Sequence, residues 1–365
     1  MVMGHSGVPF RNFIYMFHMA IFFLASGFLL NIKHAENFKN LCKYIIKKIK
    51  KMWVPYFLFN ASFTLLNNVF LITNIYTDNK NFMHWSNKGI YEQSLGEYKN
   101  IHSIIKDLIN IALLRSGTQM GGALWFMSTL LIVLVMFMSI QFCIGLVIKK
   151  RTVKTLLQFF LSIVFSCIGY YWNISGQLHL GWFGRACTCY GLIFIGYYLR
   201  ERDIWNIVAK KVPSILIIFI CLNILAIGNV RGCIEIVDND ITNPIFFMLM
   251  SITGWFFLYG IADLLYRIKA VKFNRILQLL AIHSVPIIGL HFLSFKIVNW
   301  IGVSIYGMKL YMIAAFPILM IGGFWWIAYT VTGLGIPVLA QFCFEKLRIT
   351  ITKVNNVRLF TSRRK

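Results

Sequence analysis

Acidic residues are scarce in this chain, and charges of either sign are few. Only 12 of its 365 residues are Asp or Glu, and charged residues make up 13% of it, against roughly 25% in a soluble domain. So little polar surface excludes a soluble globule. It also excludes a nucleic-acid-binding domain, although 36 Lys and Arg give a formal net charge of +24, because such a domain carries its basic residues on an extensive polar surface.

Cysteine ligand patterns and a secretion signal are missing as well. The eight cysteines show no CxxC or Cys/His ligand spacing and most lie inside apolar runs, so we predict neither a metal site nor a disulfide framework. Residues 1–6 lack the basic region and the cleavage motif of a signal peptide. They are typical of the end of an apolar segment, so we expect the chain to begin partway through its first membrane helix.

Hydrophobic residues make up 58% of the chain, and its mean hydropathy is +0.70. A membrane-spanning helix needs about 20 mostly apolar residues. Nine runs are candidates: 13–31, 53–73, 123–148, 155–173, 184–199, 213–229, 243–266, 276–298 and 310–333. We therefore predict an all-α fold, a polytopic integral membrane helical bundle of nine full transmembrane helices plus the end of a tenth, N-terminal one.

The basic residues predict which way the bundle faces. Short cytoplasmic loops carry an excess of Lys and Arg. Here 26 of the 36 Lys and Arg fall in five alternate segments, 32–52, 149–154, 200–212, 267–275 and 345–365. We therefore predict a multi-pass protein of the cell (plasma or inner) membrane with a cytoplasmic C-terminus.

This topology predicts a single transmembrane domain over residues 1–344, followed by a basic cytoplasmic tail at 345–365. The domain includes an outer loop at about 74–122. Membrane lipid is an expected partner, because a basic tail is attracted to anionic headgroups. No nucleic-acid partner is expected.

Polar side chains at membrane depth are costly, so each one calls for a reason. The histidines in or beside apolar runs are His5, His18, His283 and His291. An imidazole, with a pKa of about 6.5 in water, can serve as a general base, and His5 is the candidate for that role. The alternative is a histidine that only hydrogen-bonds a neighbouring helix. Lys296 lies near a run end, where we expect it to reach the membrane interface.

Four lysines form the sharpest charge cluster: Lys47, Lys48, Lys50 and Lys51. One interpretation is a cytoplasmic anchor for the following helix. The other is a site for a phosphorylated ligand, because ammonium groups three or four residues apart share one helix face. Trp125 opens the helix after the outer loop, where an interfacial aromatic belt is the simple interpretation.

Taken in order, these features resemble the acyltransferase-3 family of integral membrane acyltransferases. The matching segments are residues 4–6 with the first-helix histidine, 17–28 ending in Ser-Gly-Phe, 47–51 before Pro55-Tyr56, 124–126 with its Trp-Phe pair, and 283–291 ending in histidine. Two departures are visible. The basic residue that the family carries about eleven positions before the histidine would precede Met1, and lysines replace the family's paired arginines.

The resemblance implies a membrane O-acyltransferase. Such an enzyme moves an acyl group, commonly acetyl, from cytoplasmic acyl-CoA to a hydroxyl of a cell-surface glycan or its lipid-linked precursor, as in polysaccharide biosynthesis. It implies His5 as catalytic base, with His18, Trp125 and His291 supporting it. It also implies acyl-CoA phosphates on the lysine cluster. Acyl-CoA would be a donor substrate, with no bound cofactor.

Three alternatives stay open. A transporter or flippase for lipid-linked sugars would carry broken helices and charged residues at mid-membrane, and few such residues are visible in the sequence. A polymerase for such sugars would be expected to carry arginines in its outer loop, where Arg115 is the one present. An inactive truncated remnant is the third alternative.

Overall fold

The computed structural model describes residues 1–79, 82, 96–175 and 181–362. Residues 80–81 and 83–95 of the predicted outer loop, and the last three residues of the predicted tail, lie outside the described residues.

Helices dominate the described chain. The first eight are α1 Val2–His5, α2 Arg11–Tyr15, α3 Ala20–Phe28, α4 Phe38–Lys48, α5 Val54–Leu65, α6 Asn67–Ile72, α7 Ile101–Ala112 and α8 Trp125–Val147. The rest are α9 Arg151–Ile174, α10 Gly181–Glu201, α11 Ile204–Ala209, α12 Ser214–Arg231, α13 Pro244–Arg267, α14 Val271–Ile282, α15 Ser284–Tyr306 and α16 Trp325–Ser362. Two short strands, β1 Ile234–Glu235 and β2 Asp240–Ile241, pair antiparallel between α12 and α13.

Six helices among the described residues are long and apolar enough to cross a membrane. The segments are Gly122–Val147, Arg151–Ile174, Ser214–Arg231, Pro244–Arg267, Ser284–Tyr306 and Trp325–Leu347. The mostly helical fold and the multi-pass membrane character are thereby confirmed. The count of nine helices plus the end of a tenth stays a prediction.

Two predicted runs are not continuous helices. The run 276–298 breaks at His283, between α14 and α15, because Pro286 has no amide hydrogen to continue the ladder to the carbonyl of Ile282. The run 310–333 begins with a short 3-10 helix, Leu310–Ala314, and becomes α-helical only at Trp325. Before that helix the backbone contains Gly322 and Gly323 with φ of 90° and 54°, a conformation that ends regular helix.

Helices α3 and α10 cross at two glycines. A Cβ at Gly27 would lie 2.8 Å from the carbonyl carbon of Ile193, and a Cβ at Gly196 would lie 2.9 Å from the carbonyl carbon of Leu24. Each helix therefore contacts the backbone of the other, an approach that small residues allow in membrane helix pairs. This crossing gives a physical reason for the glycine in the Ser-Gly-Phe segment.

The bundle has two distinct ends. At one end, clefts are lined by residues from the predicted cytoplasmic segments, among them Glu36, Lys149, Arg151 and Arg202. We call this the basic end. The β1–β2 hairpin follows α12 at the opposite end, which we call the hairpin end. The structure thus brings loops together as the alternation of basic segments predicts.

Candidate active site

A cavity of about 630 Å³ opens at the hairpin end. Its walls come from α1, α2, the start of α8, the hairpin, α15 and the irregular segment before α16. Three of the predicted site residues line it, His5, His18 and Trp125. Chain segments far apart in sequence therefore converge on the histidine that the sequence singles out.

His5 is held by the packing of α1 against α16. The next residue, Ser6, is fully buried, and its hydroxyl donates to the carbonyl of Met3 at 2.9 Å and accepts from Thr330 Oγ1 at 3.1 Å. The first bond fixes the end of α1, and the second joins the first helix to the last one. They leave the His5 ring pointing into the cavity, where it packs against Phe292 with ring centroids 4.9 Å apart.

His291 lies behind His5, and the two rings stack with centroids 5.6 Å apart. His291 is fully buried, and its Nδ1 lies 2.9 Å from the carbonyl oxygen of Ile287. A carbonyl only accepts, so Nδ1 carries the hydrogen and the neutral ring has its lone pair on Nε2. Within the described residues that Nε2 has no hydrogen-bond partner. In neutral His291, Nε2 can therefore accept a proton. Nε2 could donate to an oxyanion only in the cationic form of the ring.

His18 has the same arrangement. Its Nδ1 lies 3.1 Å from the carbonyl oxygen of Ile14, so Nε2 again has the lone pair in the neutral ring. The ring packs against Tyr15, with centroids 4.6 Å apart. His18 therefore adds a second proton-accepting nitrogen to the surroundings of His5.

Trp125 links the cavity wall to the hairpin. The guanidinium carbon of Arg185 lies 5.4 Å from the centroid of its ring, and Arg185 Nη1 donates to the carbonyl of Val237 at 2.6 Å. The cation–π contact and the hydrogen bond together tie α8, α10 and the hairpin to one another. Trp125 therefore has a defined protein partner in Arg185, which a residue of an interfacial aromatic belt does not need.

Sequence reasoning missed four polar residues of this cavity: Arg11, Tyr15, Glu235 and Asp238. Arg11 and Tyr15 are four residues apart in sequence, a spacing that signals a shared helix face. No local signal points to Glu235, which the hairpin brings close from a distant part of the chain. Burial raises the pKa of Glu235 to about 7, so this carboxyl changes its charge near neutral pH.

The irregular wall of the cavity is held by a buried polar network. Lys296 Nζ donates to the carbonyls of Ala314 at 2.8 Å and Ala315 at 2.9 Å. Asn299 Nδ2 also donates to Ala315, and Asn299 Oδ1 accepts from the hydroxyl of Tyr329 at 2.6 Å. The expectation that Lys296 reaches the membrane interface is wrong. Lys296 is 4% exposed, because these carbonyls lack helical partners and supply the acceptors that its ammonium needs.

The lysine cluster lies elsewhere, and none of its four described side chains lines the cavity. Lys47 and Lys48 end α4, while Lys50 and Lys51 lie in a π-helical turn over Ile49–Trp53. Burial, followed by the charges of Lys51 and Lys47, lowers the pKa of Lys48. These ammonium groups are therefore close enough to repel one another, an arrangement that a bound anion would relieve.

Within the described residues, no three His, Cys, Asp or Glu side chains form a group that could hold a metal ion. The cavity residues themselves offer proton transfer by imidazole together with the charges of Arg11, Glu235 and Asp238.

Comparison with known proteins gives one family match. The model of a protein family described as an acyltransferase domain matches residues 1–340. No curated protein matches the chain, and no solved structure does.

Proposed function

The chain belongs to acyltransferase family 3 and is a membrane acyltransferase, and on this premise we propose its reaction. It moves an acyl group, acetyl in the simplest case, from cytoplasmic acyl-CoA to a hydroxyl of a cell-surface glycan or of its lipid-linked precursor. The observation that supports this most is the position of His5, which lines the cavity with a second imidazole stacked on it.

His5 is the proposed general base. A sugar hydroxyl is a poor nucleophile at neutral pH, and a histidine within hydrogen-bond reach accelerates its attack by removing the proton. As the oxygen attacks the thioester carbonyl, the new C–O bond forms and the hydroxyl proton passes to His5. The tetrahedral intermediate then collapses, the C–S bond breaks, and the proton returns to the sulfur of coenzyme A.

The oxyanion of that intermediate needs a donor. Trp125 lies in the cavity wall and carries an indole N–H. A donor aimed at the developing charge contributes more in a low-dielectric site than in water. We assign this supporting role to Trp125. His18 and His291 accept hydrogen bonds in their neutral forms, and we propose that they shape the base's surroundings.

The lysine cluster is the proposed site for the donor's phosphates. Lys47, Lys50 and Lys51 are exposed, and the ion pairs among the described residues include none of them. Ammonium groups bind phosphate oxygens by charge-assisted hydrogen bonds. Helix α4, which ends in the cluster, begins at Phe38, two residues after Glu36 of the basic end, and under the predicted topology a cytoplasmic nucleotide would arrive on this side.

One observation favours a second candidate, a transporter of lipid-linked sugars. The irregular segment before α16 and the buried Lys296 are features that such transporters use at their binding sites. In the proposed enzyme the same segment forms one wall of the cavity, with Phe316 and Ile318 among the lining residues.

The test uses the purified full chain in lipid nanodiscs with acetyl-CoA as donor. Free thiol of coenzyme A is measured against a panel of neutral and lipid-linked oligosaccharides, and acceptors are analysed for ester formation. The variants are His5→Ala and, as a matched control, His102→Ala. His102 lies exposed in α7 and is not among the residues that line the cavity around His5.

The proposal expects ester formation by the wild type and by the control, and its loss in His5→Ala with insertion unchanged. A His5→Ala protein that forms ester as fast as the wild type contradicts the assignment of the base. A wild type that forms no ester, but moves lipid-linked sugars between leaflets, favours the transporter.

A further inference from the structure

Helix α2 places two polar side chains beside His5. Tyr15 Oη lies 3.4 Å from His5 Nδ1, and Arg11 Nη2 donates to Tyr15 Oη at 3.3 Å. The guanidinium carbon of Arg11 also lies 4.6 Å from the centroid of the Tyr15 ring. Tyr15 is buried, so water competes little for these contacts.

The series of contacts ends at a carboxylate on the hairpin. Glu235 Oε2 lies 3.9 Å from Arg11 Nη2, and both side chains line the cavity. An arginine beside a histidine opposes the formation of a second positive charge. Above about pH 7, where Glu235 is ionised, it offsets that charge. The pair then holds the hydroxyl of Tyr15 in place without a large net field at His5.

This arrangement matters when the proton moves. A histidine that takes a proton on Nε2 has hydrogens on both ring nitrogens, so Nδ1 must donate. The acceptor within reach is Tyr15 Oη. That oxygen has two acceptor positions, one of which accepts from Arg11, and the other is open to Nδ1–H.

We propose that Tyr15 is the positioning residue of the acyl transfer: its hydroxyl oxygen accepts Nδ1–H of His5 while Nε2 takes the proton of the acceptor, and the Arg11–Glu235 pair sets the charge balance. The inference rests on the proposed role of His5 as base. It adds an orienting partner to the histidine, as nucleophile–base systems commonly require.

Other charged or titratable groups also face His5. They are the Met1 amino group, His18 and His291, with Asp238 on the hairpin lining the same cavity. All of them are unchanged in the variants below. Differences between those variants therefore report on Tyr15, Arg11 and Glu235 alone.

The first variant is Tyr15→Phe, which removes one oxygen and keeps the ring that packs on His18. The matched control is Tyr170→Phe, whose hydroxyl donates to the carbonyl of Thr242 at 3.2 Å at the same end of the bundle. General-base catalysis contributes about 10²–10⁴-fold. We expect Tyr15→Phe to lose roughly tenfold to a hundredfold in kcat, with KM for acetyl-CoA and the Tm unchanged.

The second readout is the pH dependence of kcat in two charge variants. Arg11→Gln removes a charge that opposes the imidazolium, so the acid limb of the profile should move to higher pH. Glu235→Gln removes a charge that Glu235 carries only above its pKa of about 7. It should therefore move the limb to lower pH if the limb lies above pH 7, leave it in place if the limb lies lower, and in neither case move it to higher pH. Unit charges about 7–12 Å apart in a medium of effective dielectric constant 20 predict shifts of about one to two pH units.

A merely structural role would lower activity in both charge variants and leave the acid limb of Arg11→Gln in place. Wild-type kcat in Tyr15→Phe, or shifts of the same sign in the two charge variants, would overturn the inference. Its failure is distinguishable from that of the proposed function. If His5→Ala abolishes transfer and Tyr15→Phe does not slow it, only the role of Tyr15 is refuted; if His5→Ala retains transfer, the base itself is wrong.

Discussion

Replacing Gly27 with Ala tests the crossing of α3 and α10. The new methyl group would lie 2.8 Å from the carbonyl carbon and 2.9 Å from the Cα of Ile193. Ordinary carbon–carbon contacts are about 3.5–4.0 Å, so the two helices must separate by several tenths of an ångström or more. Both partners are backbone, and no rotamer change can relieve the overlap.

The expected magnitude follows from two opposing effects. Ala in a helix interior is favoured over Gly by about 1 kcal/mol, whereas overpacking a well-packed interior costs typically about 1–3 kcal/mol and sometimes more. Since the overlap involves the backbone of a neighbouring helix, we expect the overpacking cost to dominate. The net result is a loss of roughly 1–2 kcal/mol in the free energy of unfolding.

The assay is thermal unfolding of the purified full chain in detergent, with Gly335→Ala as matched control. A Cβ at Gly335 would meet nothing within 4 Å, so that variant keeps the gain in helix propensity without the overlap. We expect Gly27→Ala to lower the Tm by a few degrees, at about 2–4 °C per kcal/mol for larger domains, and Gly335→Ala to leave it equal or raise it. A Gly27→Ala protein as stable as its control would refute the close crossing.

Three further predictions follow from the same contacts. Asn299→Ala removes the partner of two carbonyls and a hydroxyl and should lower the free energy of unfolding in detergent by at least about 2 kcal/mol. The control variant Asn223→Ala, at an exposed position, should change it little. Equal losses in the two variants would contradict the role of the network. Burial raises the pKa of Glu235 from 4.5 to about 7, so the folded protein holds this proton more tightly than the unfolded chain does. The stability of the wild type should therefore fall relative to that of Glu235→Gln as the pH rises from about 4.5 through 7. Tm values of both proteins at pH 5 and pH 8 would check this, and a constant difference would disprove it. The double variant Lys47→Gln/Lys50→Gln should raise KM for acetyl-CoA several-fold. It should leave KM for S-acetylpantetheine unchanged, since that donor lacks the nucleotide phosphates. Equal effects on both donors would favour the anchoring role of the lysines.

The helical membrane architecture could be predicted from sequence because run length and charge distribution are local properties. The runs that became α8, α9, α12 and α13 were located to within a few residues. Basic segments far apart in sequence meet at one end of the bundle. The break at His283 also had a local signal, since Pro286 lies three residues beyond it.

Hydropathy could not separate a membrane-spanning α-helix from the short 3-10 helix and irregular backbone that residues 310–324 form. An apolar segment in a membrane is expected to be helical, because its backbone groups need partners. Here the partners are Lys296, Asn299 and Tyr329, which approach from neighbouring helices. Only packing could reveal that these side chains satisfy the carbonyls and amides of that segment.

The sequence by itself determined the class of the protein, its family, and the identity of His5, His18 and Trp125 as candidates, since each depends on residue type and position along an apolar run. The tertiary structure decided which of these residues share a cavity and which groups set the charge around them. Glu235 contacts Arg11 only because the hairpin folds over α2. Electrostatic interaction depends on distance in space, and the spacing of residues along the chain does not contain that distance.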